Sequence, residues 1–140
     1  MSILVIDLGT SAVRAALVDH DATISDEIRV PMLPDSPAPG LVEFDATEYA
    51  AAATRCARDL LERHGPVEAV GVTNQRGSTI VWDRATGEPV APAQGWQDLR
   101  TVGDCLVLAA DGVRLAPNQS ATKIANILDQ HDPDRSRDLC

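Results

Sequence analysis

The chain has 140 residues, a formal net charge of −9 and a single lysine, Lys123. A domain of this size buries roughly two thirds of its unfolded surface, and the excess of acidic residues argues against binding to nucleic acid or to an anionic membrane surface. Three widely spaced cysteines without a CxxC pair predict neither a zinc site nor a disulfide framework, and no apolar run approaches the ~20 residues that span a bilayer, so we expect a soluble, cytoplasmic protein.

The first predicted elements are three strands that form an antiparallel meander. Apolar runs that end at short polar turns are typical of such strands. The runs cover residues 2–7, 13–19 and 24–30. A loop over residues 31–40 follows, and its four prolines exclude regular structure there.

An alanine-rich helix and a further strand come next. Asp45 is a predicted N-cap with Glu48 three residues later, and the helix is predicted to run to about His64 and to stop at Gly65. Its apolar face is mostly alanine, which favours close packing on a sheet. The apolar run 67–73 is predicted to be a buried strand.

The last third of the chain is predicted to contain a hairpin and two short helices. The hairpin begins with the run 79–83. Thr101 is a predicted N-cap for a helix that ends at Gly112, and Ser120 is a predicted N-cap for a helix that ends near Gln130.

The turn between the first two strands has the residue types of a phosphate-binding hairpin. Gly9 lets the main chain approach a ligand closely, and Thr10 and Ser11 add hydroxyl donors to the N–H groups of the turn. Asp7, at the end of the first strand, can hold Mg²⁺ or its waters beside that phosphate, because hard cations prefer carboxylate oxygen. An ordinary hairpin with an Asx-capped turn explains this segment equally well, because such turns are common.

Several motifs in a fixed order resemble the FGGY carbohydrate kinases, and most of all their glycerol-kinase branch. The motifs are the segments 7–11, 70–83, 95–101 and 115–124, and the resemblance covers essentially the whole chain. It implies an α/β, ribonuclease-H-like fold of the actin and hexokinase type. The 140 residues then form the N-terminal part of the first kinase domain, with the second domain absent.

The resemblance implies that the complete enzyme transfers the γ-phosphoryl group of ATP to a hydroxyl of a sugar or polyol. Gly9, Thr10, Ser11 and Arg14 would then bind the nucleotide and its phosphates, and Asp7 would support the metal. The implied cofactors are ATP and Mg²⁺. The implied partner is a small-molecule sugar or polyol, with no nucleic acid and no membrane, and a homo-oligomer is left open for the full-length enzyme.

The resemblance also implies half of a substrate site. Arg76 would donate hydrogen bonds from its planar guanidinium to neighbouring hydroxyls of the substrate, and Trp96 would pack its flat apolar ring against the substrate's carbon atoms. Taken alone, Arg76 is more simply explained as a surface arginine and Trp96 as a core aromatic. The motif context favours the substrate role for Arg76 and leaves both interpretations of Trp96 open.

Two substrate-site positions depart from the glycerol-kinase pattern. Gly77 stands where that pattern has a glutamate, and Asn118 stands where it has a tyrosine. Gly77 is expected to leave space, and Asn118 offers both a donor and an acceptor. We therefore expect a larger or differently hydroxylated substrate than glycerol.

The catalytic base of the family is an aspartate that is expected beyond Cys140, so no catalytic residue is predicted in this chain. Phosphoryl transfer requires nucleotide, metal and acceptor to be positioned together, so the chain alone is expected to be inactive. The alternative is a non-catalytic, actin-like nucleotide-binding or assembly module. Arg76 and Trp96 favour the kinase, because an actin-like ATPase has no need of a polyol site.

Overall fold

The computed structural model describes residues 2–140, which divide into two compact units. The first unit holds residues 2–33 and 47–75, and the second holds residues 34–46 and 76–140. The elements in chain order are β1 (Ile3–Leu8), β2 (Ala12–Val18), β3 (Ile24–Pro31), β4 (Glu43–Phe44), α1 (Ala46–His64), β5 (Ala69–Asn74), β6 (Ala93–Gln94), α2 (Val102–Ala110) and α3 (Ser120–His131).

The first unit is built on a four-stranded sheet in the order β3-β2-β1-β5. β1 pairs antiparallel with β2, and β2 pairs antiparallel with β3, which confirms the predicted meander. α1 is the crossover that returns the chain to β5, and β5 runs parallel to β1. Three antiparallel strands, a crossover helix and a parallel strand confirm the topology expected of the ribonuclease-H-like fold.

Helix α1 begins directly after Asp45 and ends at His64, as predicted. Gly65 follows with φ of +83°, a left-handed conformation that favours glycine, and its N–H donates to the Leu61 carbonyl at 2.9 Å. The helix packs on the sheet through a core in which every side chain is almost fully buried: Leu4, Ala15, Leu17, Cys56 and Leu60. The helix contributes Cys56 and Leu60 to this core, whereas Ala50, Ala53 and Ala57 line a cavity together with Ile6, Leu8 and Val72 of the sheet. The prediction of close packing through the alanine face is therefore wrong for this part of α1.

The prediction of a buried strand over residues 67–73 is wrong about burial. Every residue of β5 is exposed, and the side chains of Val70 and Val72 are 55% and 66% accessible. β5 is the last strand in the sheet order, so one of its edges has no neighbouring strand within residues 2–140. An apolar run does not distinguish an edge strand from a central one, which explains the error.

The second unit contains the short antiparallel pair β4 and β6, in which Glu43 lies opposite Gln94. The predicted hairpin after residue 79 is held by single bridges, with Trp82 opposite Pro89 and Thr79 opposite Gln94, and not by regular strands. No helix within residues 2–140 is both long enough and apolar enough to cross a membrane.

The two predicted side-chain caps in this unit are wrong. Thr101 occupies the N-cap position of α2, but its hydroxyl bonds to the Thr122 hydroxyl at 2.8 Å and makes no capping bond. Both threonines are buried, and each satisfies the other, which removes the cost of an unpaired buried hydroxyl. Ser120 is the first residue of α3, whose N-cap position is Gln119.

Candidate functional site

In the first unit, the strand register brings Asp7 and Arg14 together. They are directly opposed partners in β1 and β2, so their side chains leave the same face of the sheet. Asp7 is half-buried and Arg14 is exposed. A carboxylate oxygen of Asp7 lies 3.7 Å from the place where a Cβ on Gly9 would stand, so the carboxylate is beside the turn.

The carbonyls of the turn are held by groups of the first unit. The Gly9 carbonyl accepts from the Gln75 amide at 3.5 Å, the Thr10 carbonyl from the Tyr49 hydroxyl at 3.4 Å, and the Ser11 carbonyl from a backbone N–H at 3.1 Å. In a trans peptide the N–H points away from the carbonyl of the same unit. The N–H groups of Thr10 and Ser11 therefore point away from these donors.

The turn leaves little room for a side chain at position 9. A Cβ there would lie 3.0 Å from the Ala12 carbonyl oxygen, which accepts the Gly9 N–H at 3.0 Å. Ser11 is exposed and Thr10 is half-buried, so both hydroxyls lie near the surface. The described residues, 2–140, contain no cluster of three or more acidic, histidine or cysteine side chains with the geometry of a metal site. A metal at Asp7 would thus be held by one carboxylate together with water or phosphate oxygens.

In the second unit, Gly77, Trp96 and Asn118 converge from three separate stretches of sequence. Gly77 has φ of +77°, and the Asn118 carbonyl oxygen occupies the space that a Cβ on Gly77 would need. The Cβ of Trp96 lies 3.5 Å from the same position. The expectation that Gly77 leaves space is therefore wrong, because backbone atoms of Asn118 fill it.

The side chains around this point face solvent. Trp96 is 40% exposed, so it is not a core aromatic, and Arg76 and Asn118 are also exposed. The backbone N–H of Trp96 donates to the Ser78 hydroxyl at 3.0 Å, which ties the tryptophan to the segment that carries Arg76. The backbones that carry the Arg76 guanidinium, the Trp96 indole and the Asn118 amide thus meet at the segment 76–78.

A buried ion pair that the sequence did not predict supports the Trp96 segment. Asp98 is fully buried, and its two carboxylate oxygens accept from Nε and Nη2 of Arg100, each at 2.8 Å. Arg100 also donates to Glu43 at 2.6 Å, and the N–H of Val42 donates to Asp98 at 2.7 Å. Burial opposes ionisation of Asp98, but the bonds from Arg100 and Val42 prevail and lower its pKa.

Lys123 is the second functional candidate that the sequence did not reveal. It is fully buried, although lysine is rarely so, and its Nζ donates to the Gly77 carbonyl at 3.1 Å. The only available signal in the sequence was that the chain has no other lysine.

The fold places the chain among the ribonuclease-H-like ATPase domains of the actin and hexokinase type. Residues 2–133 match the model of the N-terminal domain of the FGGY family of carbohydrate kinases. The chain belongs to this family.

Among curated proteins, the chain is 45% identical over 115 residues to a glycerol kinase of Rhodopirellula baltica, covering 79% of this chain and 21% of that protein. It is 40% identical over 141 residues to a glycerol kinase of Trichlorobacter lovleyi, covering 91% and 28%. The chain thus spans less than a third of the length of these relatives.

Two solved structures are similar over nearly the whole chain. A glycerol kinase of Plasmodium falciparum with ADP has a TM-score of 0.82 at 25% identity, covering 95% of this chain and 29% of that one. A xylulose kinase of Rhodospirillum rubrum has a TM-score of 0.83 at 20% identity, covering 96% and 30%, and supports the fold alone.

Proposed function

We propose that this chain is the nucleotide-phosphate and substrate-binding part of an ATP-dependent kinase that phosphorylates a hydroxyl of a sugar or polyol. The observation that carries the proposal is the convergence of Gly77, Trp96 and Asn118 next to Arg76 in a member of the FGGY family. Relatives that are named glycerol kinases support the reaction class. Arg76 and Trp96 favour a kinase over an actin-like assembly module, because such a module has no need of a polyol site.

On the nucleotide side, the turn after β1 would bind phosphate. The N–H groups and hydroxyls of Thr10 and Ser11 would donate to phosphate oxygens, with Gly9 allowing the close approach. Arg14 lies opposite Asp7 in the sheet and would add a positive charge on the nucleotide side. The hydrogen bonds to the Gly9, Thr10 and Ser11 carbonyls hold the turn in place, so less entropy would be lost when it binds phosphate.

The Asp7 carboxylate fits a role in holding Mg²⁺. It is half-buried, lies at the end of β1 and is adjacent to the turn that would hold the phosphate. Mg²⁺ is usually bound through one or two carboxylates together with waters and substrate phosphates, which agrees with a single protein ligand. When bound, the ion would neutralise charge on the transferring phosphoryl group.

On the substrate side, Arg76 would donate to neighbouring hydroxyls, Trp96 would cover the carbon face, and the Asn118 amide would offer one donor and one acceptor. These side chains are exposed and therefore accessible to a ligand. Gly77 would shape the site without accepting a substrate hydroxyl, because it has no side chain and its carbonyl is engaged by Lys123. Backbone atoms of Asn118 fill the space beside its Cα. We expect no turnover from the 140-residue chain alone.

A chimera tests the proposal. Residues 2–140 would replace the matching segment of the Trichlorobacter lovleyi glycerol kinase, and ATP-dependent phosphorylation of a polyol and sugar panel would be measured. The expected result is turnover that falls at least about a hundredfold in both Thr10→Ala and Arg76→Ala chimeras, as for removal of transition-state contacts. Glu88→Gln, an exposed turn residue, is the matched control. A folded chimera without turnover, or one that is insensitive to both substitutions, would contradict the proposal.

A further inference from the structure

Lys123 is a buried cation on α3 that the proposed binding roles leave unused. Its side chain has no exposed surface, and its Nζ donates a hydrogen bond to the Gly77 carbonyl at 3.1 Å. Burial lowers the pKa of this lysine, and Asp98 and Cys105 act in the opposite direction. The removal of an ammonium from water is costly, so this bond is made at the expense of solvation.

Gly77 is held from two sides by one stretch of chain. The Asn118 carbonyl packs against its Cα, and five residues later Lys123 binds its carbonyl oxygen. The next residue, Ser78, accepts the backbone N–H of Trp96 at 3.0 Å. The segment 76–78 is therefore the point at which the three proposed substrate-contacting segments are joined.

We infer that Lys123 is a positioning residue for the substrate site: its ammonium fixes the backbone of Gly77 and thereby the direction in which Arg76 leaves the chain. An apolar side chain of equal length would fill the same space without the cost of desolvation. Only the ammonium can donate a charge-assisted hydrogen bond to the Gly77 carbonyl, and such a bond is stronger than a hydrogen bond between neutral groups. The inference rests on the proposed substrate role of Arg76.

The test compares Lys123→Met, Lys123→Arg and Ile127→Val in the 140-residue chain. Ile127 is a fully buried residue one turn further along α3, so its substitution perturbs the same helix without touching Gly77. The carbonyl ¹³C resonance of Gly77 and the amide exchange of residues 76–78 are measured by NMR. Lys123→Met should shift the carbonyl resonance of Gly77 and speed amide exchange at residues 76–78. In Lys123→Arg both quantities should stay close to those of the unsubstituted chain, because a cation is retained. Ile127→Val should leave both unchanged.

Binding of glycerol and xylitol is then followed through the Trp96 indole resonance. Lys123→Met should weaken the affinity by roughly tenfold, which corresponds to one lost hydroxyl contact of a charged group. An unchanged Gly77 carbonyl in Lys123→Met, or equal losses of affinity in Lys123→Met and Ile127→Val, would overturn the inference.

The two proposals fail in different ways. If neither polyol binds the unsubstituted chain, the proposed substrate site is wrong, whereas the Gly77 resonance still reports on the positioning by Lys123. If Lys123→Met does not fold, contacts between the Nζ protons and Gly77 are sought by nuclear Overhauser effects in the unsubstituted chain, and their absence overturns the inference.

Discussion

Asp98 holds the guanidinium of Arg100 with both carboxylate oxygens, from Nε to Oδ1 and from Nη2 to Oδ2, at 2.8 Å each. Such a bidentate pair fixes orientation as well as distance. Arg100 extends the contact to Glu43 on β4, and the backbone of Val42 donates to the same aspartate. The segment that carries Trp96 is thus attached to β4 by charge-assisted bonds in a buried environment.

Removal of one partner of this pair should be costly. We expect Asp98→Asn to lower the free energy of unfolding by about 1–3 kcal/mol, because it removes the charge of a fully buried carboxylate that accepts charge-assisted bonds from the partly exposed Arg100. Urea denaturation measures the change. Glu88→Gln, an exposed residue of the same unit, should have no measurable effect. A loss for Asp98→Asn as small as that of the control would show that the pair is not buried as described.

The same pair predicts a dependence of stability on pH. The pKa of Asp98 is below its ordinary value of 3.8 in the folded chain, so ionised Asp98 stabilises the fold above the unfolded pKa. This contribution is lost as the pH falls through the folded pKa. We therefore expect the unfolding free energy to decrease below about pH 4, and to decrease less steeply in Asp98→Asn. Parallel pH profiles for the two proteins would contradict the prediction.

Gly77 should not tolerate a side chain. Gly77→Ala is expected to destabilise the chain by about 2–5 kcal/mol, since left-handed strain costs about 1–2 kcal/mol and overpacking against Asn118 about 1–3 kcal/mol. Gly103→Ala in α2 is the matched control, because nothing lies within 4 Å of its Cβ position. That change should stabilise by up to about 1 kcal/mol. Thermal unfolding that ranks the two variants in the reverse order would refute the described packing.

The sequence predicted those features that depend on local patterns. The strand runs that are joined by short turns in residues 2–30 and the start of α1 after Asp45 are local, and the structure confirms both. Burial of Lys123 and the filled space at Gly77 depend on contacts between residues more than 40 positions apart, which no local pattern records. Thr101 illustrates the same limit, because a good capping residue was used for a tertiary bond to Thr122.

The three cysteines should differ in reactivity. All are free thiols, Cys56 and Cys105 are buried, Cys140 is exposed, and burial raises the pKa of Cys56. Because the thiolate is the reactive species, we expect one thiol per chain to react rapidly with Ellman's reagent and all three to react in denaturant. Cys140→Ser should abolish the rapid phase. A rapid phase of two or three thiols would show that Cys56 or Cys105 is accessible and would contradict the described burial.

A kinase that contains this chain is predicted to prefer longer polyols or ketoses to glycerol as the phosphoryl acceptor. Gly77 supplies no side-chain acceptor, and its carbonyl is already bound by Lys123. A glycerol hydroxyl placed there would therefore lack a hydrogen-bond partner, which weakens its binding by about 1–3 kcal/mol. In the chimera with the Trichlorobacter lovleyi enzyme, kcat/KM for glycerol should fall more than kcat/KM for longer polyols and ketoses. The unmodified relative is the control. Glycerol as the best acceptor of the chimera by kcat/KM would contradict this prediction.

The central claim is that the turn after β1 binds nucleotide phosphate, and titration of the ¹⁵N-labelled chain with a magnesium complex of a non-hydrolysable ATP analogue tests it most directly. The account predicts chemical-shift changes concentrated at Gly9, Thr10 and Ser11, and smaller changes in Thr10→Val, because that substitution removes one hydroxyl donor to the phosphate. Shift changes that avoid the turn, or that are the same in Thr10→Val, would contradict the claim.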